Sequence, residues 1–352
     1  MSEKSRSIRV GYRRIGPGSP AFVIAEIGSN HDGDLEKAKR YIDEAAKIGA
    51  DAVKFQSINL DTFLADLVVI DGQLIPNEMK AQAKFIPVSE TWYPELFDYA
   101  RIQGLVAFAT PFDLSTVSML VDAGAEVMKI ASGDVTNPEL IKEIGRTGKP
   151  VLMSTGMANL GEVERALQAL YSTGNDQVVL LHCVSTYPTV FEDVNLKAMQ
   201  TLHAAFHVPV GLSDHTPGPE TAVGAIGLGA CVIEKHITFD RTSPGTDHFF
   251  AMEIPEFDQM IQMIRHVETA MGTGEKYPSE REQARMAKVR RALYTTRPIA
   301  TGEIFEARDL IAMRPQSDYI KADRFDSVVG LKAPRDYKKG QPLRWADFVG
   351  QE

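Results

Sequence analysis

The chain has 352 residues, 44% hydrophobic and 24% charged, a globular balance that excludes a small disulfide scaffold and extended disorder. A length of this order points to one large barrel, or to a large domain with a small companion. Its 38 basic and 47 acidic residues give a formal charge of -9, which argues against a nucleic-acid backbone or an anionic membrane as partner but leaves room for a basic pocket.

In chain order, the amino terminus carries charges with no apolar run behind them, and no stretch approaches the roughly 18 apolar residues of a spanning helix. With only Cys183 and Cys231, each inside an apolar run, the expectation is a soluble protein of the reducing cytoplasm. Short apolar runs then alternate with amphipathic stretches. The strand candidates are 22–28, 52–57, 106–112, 127–132, 150–156, 178–184, 208–215 and 231–238, with helix candidates after each. Eight strands each followed by a helix over about 250 residues predict an α/β fold, a (β/α)8 TIM barrel, with a doubly wound open sheet as the alternative.

The connection from 58 to about 90 is too long for an ordinary turn and is expected to form a lid or rim on the carboxyl side of strand two. The charged stretch 274–291 lacks an apolar face and reads as a linker. Beyond it, short alternating runs broken by TGE and KKGQ predict a small β-rich domain. The expected division is a barrel over 1–280, a linker over 281–291 and a terminal domain over 292–352.

In a barrel the chemistry gathers at the carboxyl ends of the strands, where alternate residues point inward. Strand one supplies Glu26, strand two Lys54 and Gln56, strand three Thr110, and strand four Lys129 with Ser132 and Asp134 just beyond. Strand five ends in Ser154, strand six precedes Ser185 and Tyr187, strand seven ends in Ser213 and His215, and strand eight carries Glu234 and His236. Burying Glu26, Lys54, Lys129 and Glu234 costs several kcal/mol unless they are paired. One reading is a salt-bridge network that holds the barrel shut. The other is a phosphate site, for which two lysines and several hydroxyls are suited. His215 and His236 end adjacent strands, so their imidazoles can address one divalent ion, with nearby carboxylates favouring Mn(II) or Mg(II). No nucleotide fingerprint occurs; GSNHDGD and STGM are short turns that offer only backbone donors. Cys183 and Cys231 are poor nucleophile candidates in apolar surroundings.

The segments IAEIGSNHDGDLEKA, GADAVKFQ, TPFD, KIASGD, PVLMSTGM, HCVSTYPT, GLSDHT, VIEKHIT and SPGTDH, in this order and at these separations, resemble the N-acetylneuraminate (sialic acid) synthases and the related legionaminic and pseudaminic acid synthases. The terminal segment looks like the antifreeze-like (SAF, β-clip) domain of that family. The resemblance implies condensation of phosphoenolpyruvate with an N-acylated mannosamine-type sugar, release of phosphate, and a divalent metal, Mn(II) first with Mg(II) or Co(II) as alternatives. It assigns His215 and His236 to the metal. Lys54, Thr110, Lys129, Ser132, Ser154, Ser185 and Ser213 go to phosphoenolpyruvate, and Glu26, Gln56, Asp134, Tyr187, Glu234 and Asp247 to the sugar or to proton transfer. Lys129, Glu26 and Asp134 are the catalytic candidates, with the choice of carboxylate open. Arg314 would reach the sugar of the partner subunit in a domain-swapped homodimer. Asp134 stands where several members have Glu, and the 58–90 segment departs from the sialic acid enzymes. Another metal-dependent barrel aldolase, a 3-deoxy-ulosonate synthase and a non-catalytic carbohydrate-binding protein are the rival readings.

Overall fold

The computed structural model describes residues 7–82 and 88–349. The chain divides into two compact units, 1–272 and 273–352.

The first unit contains the eight expected strands: β1 (Phe22–Gly28), β2 (Ala52–Ser57), β3 (Val106–Pro111), β4 (Met128–Ile130), β5 (Val151–Ser154), β6 (Val178–Cys183), β7 (Val210–Asp214) and β8 (Val232–Thr238). They form one parallel sheet in the order β3-β2-β1-β8-β7-β6-β5-β4. The ladder is interrupted only between β3 and β4, which still lie side by side. The barrel is therefore nearly closed, and the open-sheet alternative is set aside. Each strand is followed by a helix: α1 (Leu35–Lys47), α2 (Tyr93–Ile102), α3 (Leu114–Asp122), α4 (Pro138–Arg146), α5 (Leu160–Tyr171), α6 (Ala198–Phe206), α7 (Glu220–Gly227) and α8 (Ile254–Met271).

Local chemistry explains where these helices start. Asp34, Asp113, Asn137 and Asn159 cap α1, α3, α4 and α5 by accepting backbone N–H groups, and Asn159 with Glu162 completes a capping box. The helices bury one face against the outward side of the strands. In α4 this face is Leu140, Ile141 and Ile144.

Inside the barrel the period of two sorts residues into layers. Phe22, Ile24, Ala52, Val106, Phe108, Leu152, Val179, Leu181 and Val232 form an apolar interior at the amino-terminal end. An N-terminal hairpin, Ile8–Val10 paired with Arg13–Ile15, inserts Ile8, Val10 and Ile15 into the same cluster and plugs that end. Its strands are too short for their alternation to stand out in the sequence. The next inward positions, toward the carboxyl ends, are polar.

The expected rim segment carries a short helix (Leu60–Phe63), an antiparallel ribbon (Leu67–Ile70 with Gln73–Pro76) and a helix (Glu78–Gln82). Residues 83–87 of that segment lie outside the described residues.

In the second unit the stretch expected as a linker contains α9 (Glu280–Val289), which buries none of its residues. β9 (Ala292–Thr295) and β10 (Leu310–Met313) pair antiparallel, and further bridges join Tyr294 to Pro342 and Ile299 to Tyr337. Leu293, Ile299, Phe305, Ile320, Val328, Tyr337 and Leu343 close a small separate core.

Candidate active site

A cavity of about 830 Å³ opens at the carboxyl ends of the strands. It is lined by Lys54, Gln56, Thr110, Lys129, Ser132, Asp134, Ser154, Ser185, Tyr187, Ser213, His215, Glu234, His236 and Asp247. These are the residues expected from strand parity and motif, with two exceptions. Glu26 is completely buried in the wall, where it accepts a hydrogen bond from Gln56 Nε2 at 2.9 Å and pairs with Lys54 Nζ at 3.0 Å. Arg314 lies in the second unit, exposed, directly after β10.

The four buried charges form one continuous network. Lys54 Nζ lies 3.0 Å from Glu26 and 3.4 Å from Glu234, and Lys129 Nζ lies 3.7 Å from Glu234 and donates to Ser154 Oγ at 2.7 Å. Two positive and two negative groups balance, which is the condition for burying them. The same two lysines line the cavity.

Burial raises Glu26 to about 7, with Lys54 pulling the other way. Burial also opposes ionisation of Glu234, yet Lys129, Lys54 and the Ser213 hydroxyl hold its pKa below the usual carboxylate value. Lys129 is lowered by burial, which Glu234 offsets only in part. Asp134 is raised to about 6, chiefly by burial. A carboxyl poised there exchanges protons near neutrality, and Asp134 lines the cavity; Asp247, which also lines it, is raised by burial as well.

The two imidazoles do converge. The ring centroids of His215 and His236 are 5.6 Å apart. Two imidazoles sharing one ion through metal–nitrogen bonds of about 2.1 Å have centroids about 4.5 to 6 Å apart. His215 Nδ1 sits 3.0 Å from the Val184 carbonyl and donates to it, so in the neutral ring the lone pair is on Nε2. His236 is held neutral, its pKa well below the ordinary value through burial and the neighbouring His215, and its buried Nδ1 has no hydrogen-bond partner among the described residues. These features fit a divalent ion. No group of three or more His, Cys, Asp or Glu arranged around a metal is present among the described residues.

Several cavity residues escaped sequence reasoning. Phe63 and Phe112 meet edge to face at 5.0 Å on one side, and Phe249 and Phe250 line the other. Phe250 packs edge-on against His236 at 4.8 Å. The nearest signals were the FF that follows SPGTDH and the Phe of TPFD, neither of which carries a periodicity that marks a cavity position. Cys183, dismissed as flanked by apolar residues, lines the cavity with its Sγ 3.9 Å from both Ser185 Oγ and His215 Nδ1. Asp214 points away from the cavity and pairs with buried Lys235 at 2.7 Å.

Residues 41–276 match the NeuB family and residues 290–349 the SAF domain. The N,N'-diacetyllegionaminic acid synthase of Campylobacter jejuni is 39% identical, covering 92% of this chain and 98% of its own length. The pseudaminic acid synthase of the same species is 33% identical over 93% and 96%. The solved N-acetylneuraminic acid (sialic acid) synthetase of Leptospira borgpetersenii aligns with a TM-score of 0.72 at 35% identity, covering 79% of this chain and 94% of that one.

Proposed function

This chain belongs to the NeuB family and is a nonulosonic (sialic-type) acid synthase, and we propose that it condenses phosphoenolpyruvate with an N-acylated mannosamine-type sugar. In the overall reaction C3 of phosphoenolpyruvate bonds to the aldehyde carbon of the open-chain sugar, water adds at C2, and phosphate leaves by carbon–oxygen cleavage. The observation that carries this reading is the single cavity where two buried lysines, a set of hydroxyls and two converging imidazoles meet. An acceptor of the sialic or legionaminic type is favoured by the higher identity to the legionaminic acid synthase than to the pseudaminic acid synthase.

Each residue has a part in this reading. Lys54 and Lys129, with Thr110, Ser132, Ser154, Ser185 and Ser213, bind the phosphate and carboxylate of phosphoenolpyruvate, where charge-assisted hydrogen bonds are strongest. Gln56, Tyr187, Glu234 and Asp247 orient the sugar. Asp134 handles the proton of the attacking water, and Glu26 holds Lys54 and Gln56 in place from behind the wall. His215 and His236 hold a divalent ion, Mn(II) first, which when bound supplies a Lewis acid at the aldehyde oxygen. The protein acts in the cytoplasm as a homodimer in which the terminal domain, about 292–352, brings Arg314 over the cavity of the partner. The exposure of Arg314 and the small size of that domain support this assembly.

The test is to incubate the full chain with phosphoenolpyruvate, Mn(II) and a panel of N-acylated amino sugars, following phosphate and product mass. Phosphate release that depends on one of these sugars is expected. Release with simple aldose phosphates instead would move the protein to the 3-deoxy-ulosonate synthases.

A further inference from the structure

The turn after β5, Ser154-Thr155-Gly156-Met157, has no role so far beyond the Ser154 hydroxyl. It is held firmly: the Thr155 amide and hydroxyl both donate to the Leu181 carbonyl on β6, at 2.9 and 3.0 Å. Met157, which follows, adopts a left-handed backbone at φ +63° and lines the cavity. Between them Gly156 faces Ser132, after β4, and Ser185, after β6. A Cβ placed on it would collide with Ser185 Oγ, lie 2.8 Å from Ser132 Oγ and lie 3.2 Å from Ser132 Cβ. Its own φ is not in the left-handed region, so backbone conformation does not require a glycine there. The requirement is space.

The amide of Gly156 adds a second effect. It donates to Ser132 Oγ at 3.0 Å. A hydroxyl that accepts a backbone N–H keeps its own proton for another partner. Ser154 is wired in the same sense, because its Oγ accepts from Lys129 Nζ. Ser213 is wired oppositely, with its hydroxyl donating to Glu234 Oε1 at 3.0 Å. Ser132 and Ser154 therefore present donors, which an anion needs.

We propose that Gly156 is a positioning residue for the anionic substrate: its missing side chain lets the Ser132 and Ser185 hydroxyls converge beside Lys129 and Ser154, and its amide turns Ser132 into a donor. This rests on the phosphoenolpyruvate reading above. Any side chain at 156 forces at least one hydroxyl out of the cluster, and the three atoms nearest to it belong to Ser185 and Ser132, not to the histidine pair.

The experiment is steady-state kinetics and phosphoenolpyruvate calorimetry on full-length Gly156→Ala. The expected result is a Michaelis constant for phosphoenolpyruvate raised about tenfold or more, with that for the acceptor within about twofold. Calorimetric affinity for phosphoenolpyruvate should fall in parallel, with Mn(II) binding unchanged. Equal constants in variant and wild type overturn the proposal. The double variant Gly156→Ala/Ser185→Gly relieves the closest collision and serves as a second, less crowded background. If the single variant does not fold, the double variant is compared with Ser185→Gly alone. A several-fold weaker phosphoenolpyruvate response is then expected, since Ser132 is still displaced, and equality overturns the proposal. A wild-type protein that neither binds nor turns over phosphoenolpyruvate overturns the functional reading first and this proposal with it, whereas a working wild type with an indifferent variant rejects the proposal alone.

Discussion

Asp134 and Glu26 are both raised by burial, to about 6 and about 7, but only Asp134 faces the cavity. A carboxylate base acts only when ionised, so kcat/KM is expected to fall about tenfold per pH unit below about pH 6 as Asp134 takes up its proton. Asp134→Asn should lower kcat by about 100-fold or more and abolish that acid limb. A limb that persists unchanged in the variant transfers the role to Glu26. The histidines make a separate case, because a ligand must be neutral and His236 is kept so by burial. His215→Ala or His236→Ala should each remove most bound Mn(II), read by elemental analysis of the purified protein, with thermal stability close to wild type. Full metal content in either variant contradicts the assignment.

Two elements carry most of the positioning. In β1 the register against β2 shifts between Glu26 and Gly28, where the backbone turns left-handed at φ +54°. This bulge brings the Ser29 amide to Asp247 Oδ2 at 3.2 Å, and a Cβ on Gly28 would sit 2.6 Å from the same oxygen. The second element is the β7–β8 pair, which presents His215 and His236 inward and ties its outer side with Lys235. The Lys235 ammonium bonds to Asp214 and, at 2.6 Å, to the Thr216 carbonyl. Removing one member of a buried pair leaves the other charge without its partner, so Lys235→Met should lower stability by about 3 kcal/mol, at the low end because Thr216 and Thr221 still donate to Asp214. Urea denaturation measures this, and a loss under about 1 kcal/mol would show the pair to be dispensable.

At the scale of the whole molecule, Arg314 and the cavity belong to different compact units. If the terminal unit of one protomer completes the cavity of the other, mixing inactive His236→Ala and Arg314→Ala chains under subunit exchange creates a native site in every mixed dimer. Recovery of about a quarter of wild-type activity is then expected at equal mixing. No recovery despite verified heterodimers rejects the exchange.

The barrel and most of its cavity were legible in the sequence because both follow from periodicity. Alternation along eight short strands fixes which residues face inward, so Lys54 with Gln56 and Glu234 with His236 could be placed on the polar layer without coordinates. Spacing along the chain carries no information about what packs across it. Only the folded arrangement decided that Glu26 stands behind Lys54, that Cys183 reaches the cavity and that the N-terminal hairpin fills the barrel floor. The fit of an aromatic pair from the segments after β2 and β3, Phe63 and Phe112, and the space at Gly156 were likewise decided there. Each of these depends on contacts between segments far apart in sequence, and such contacts exist only once the chain has closed on itself.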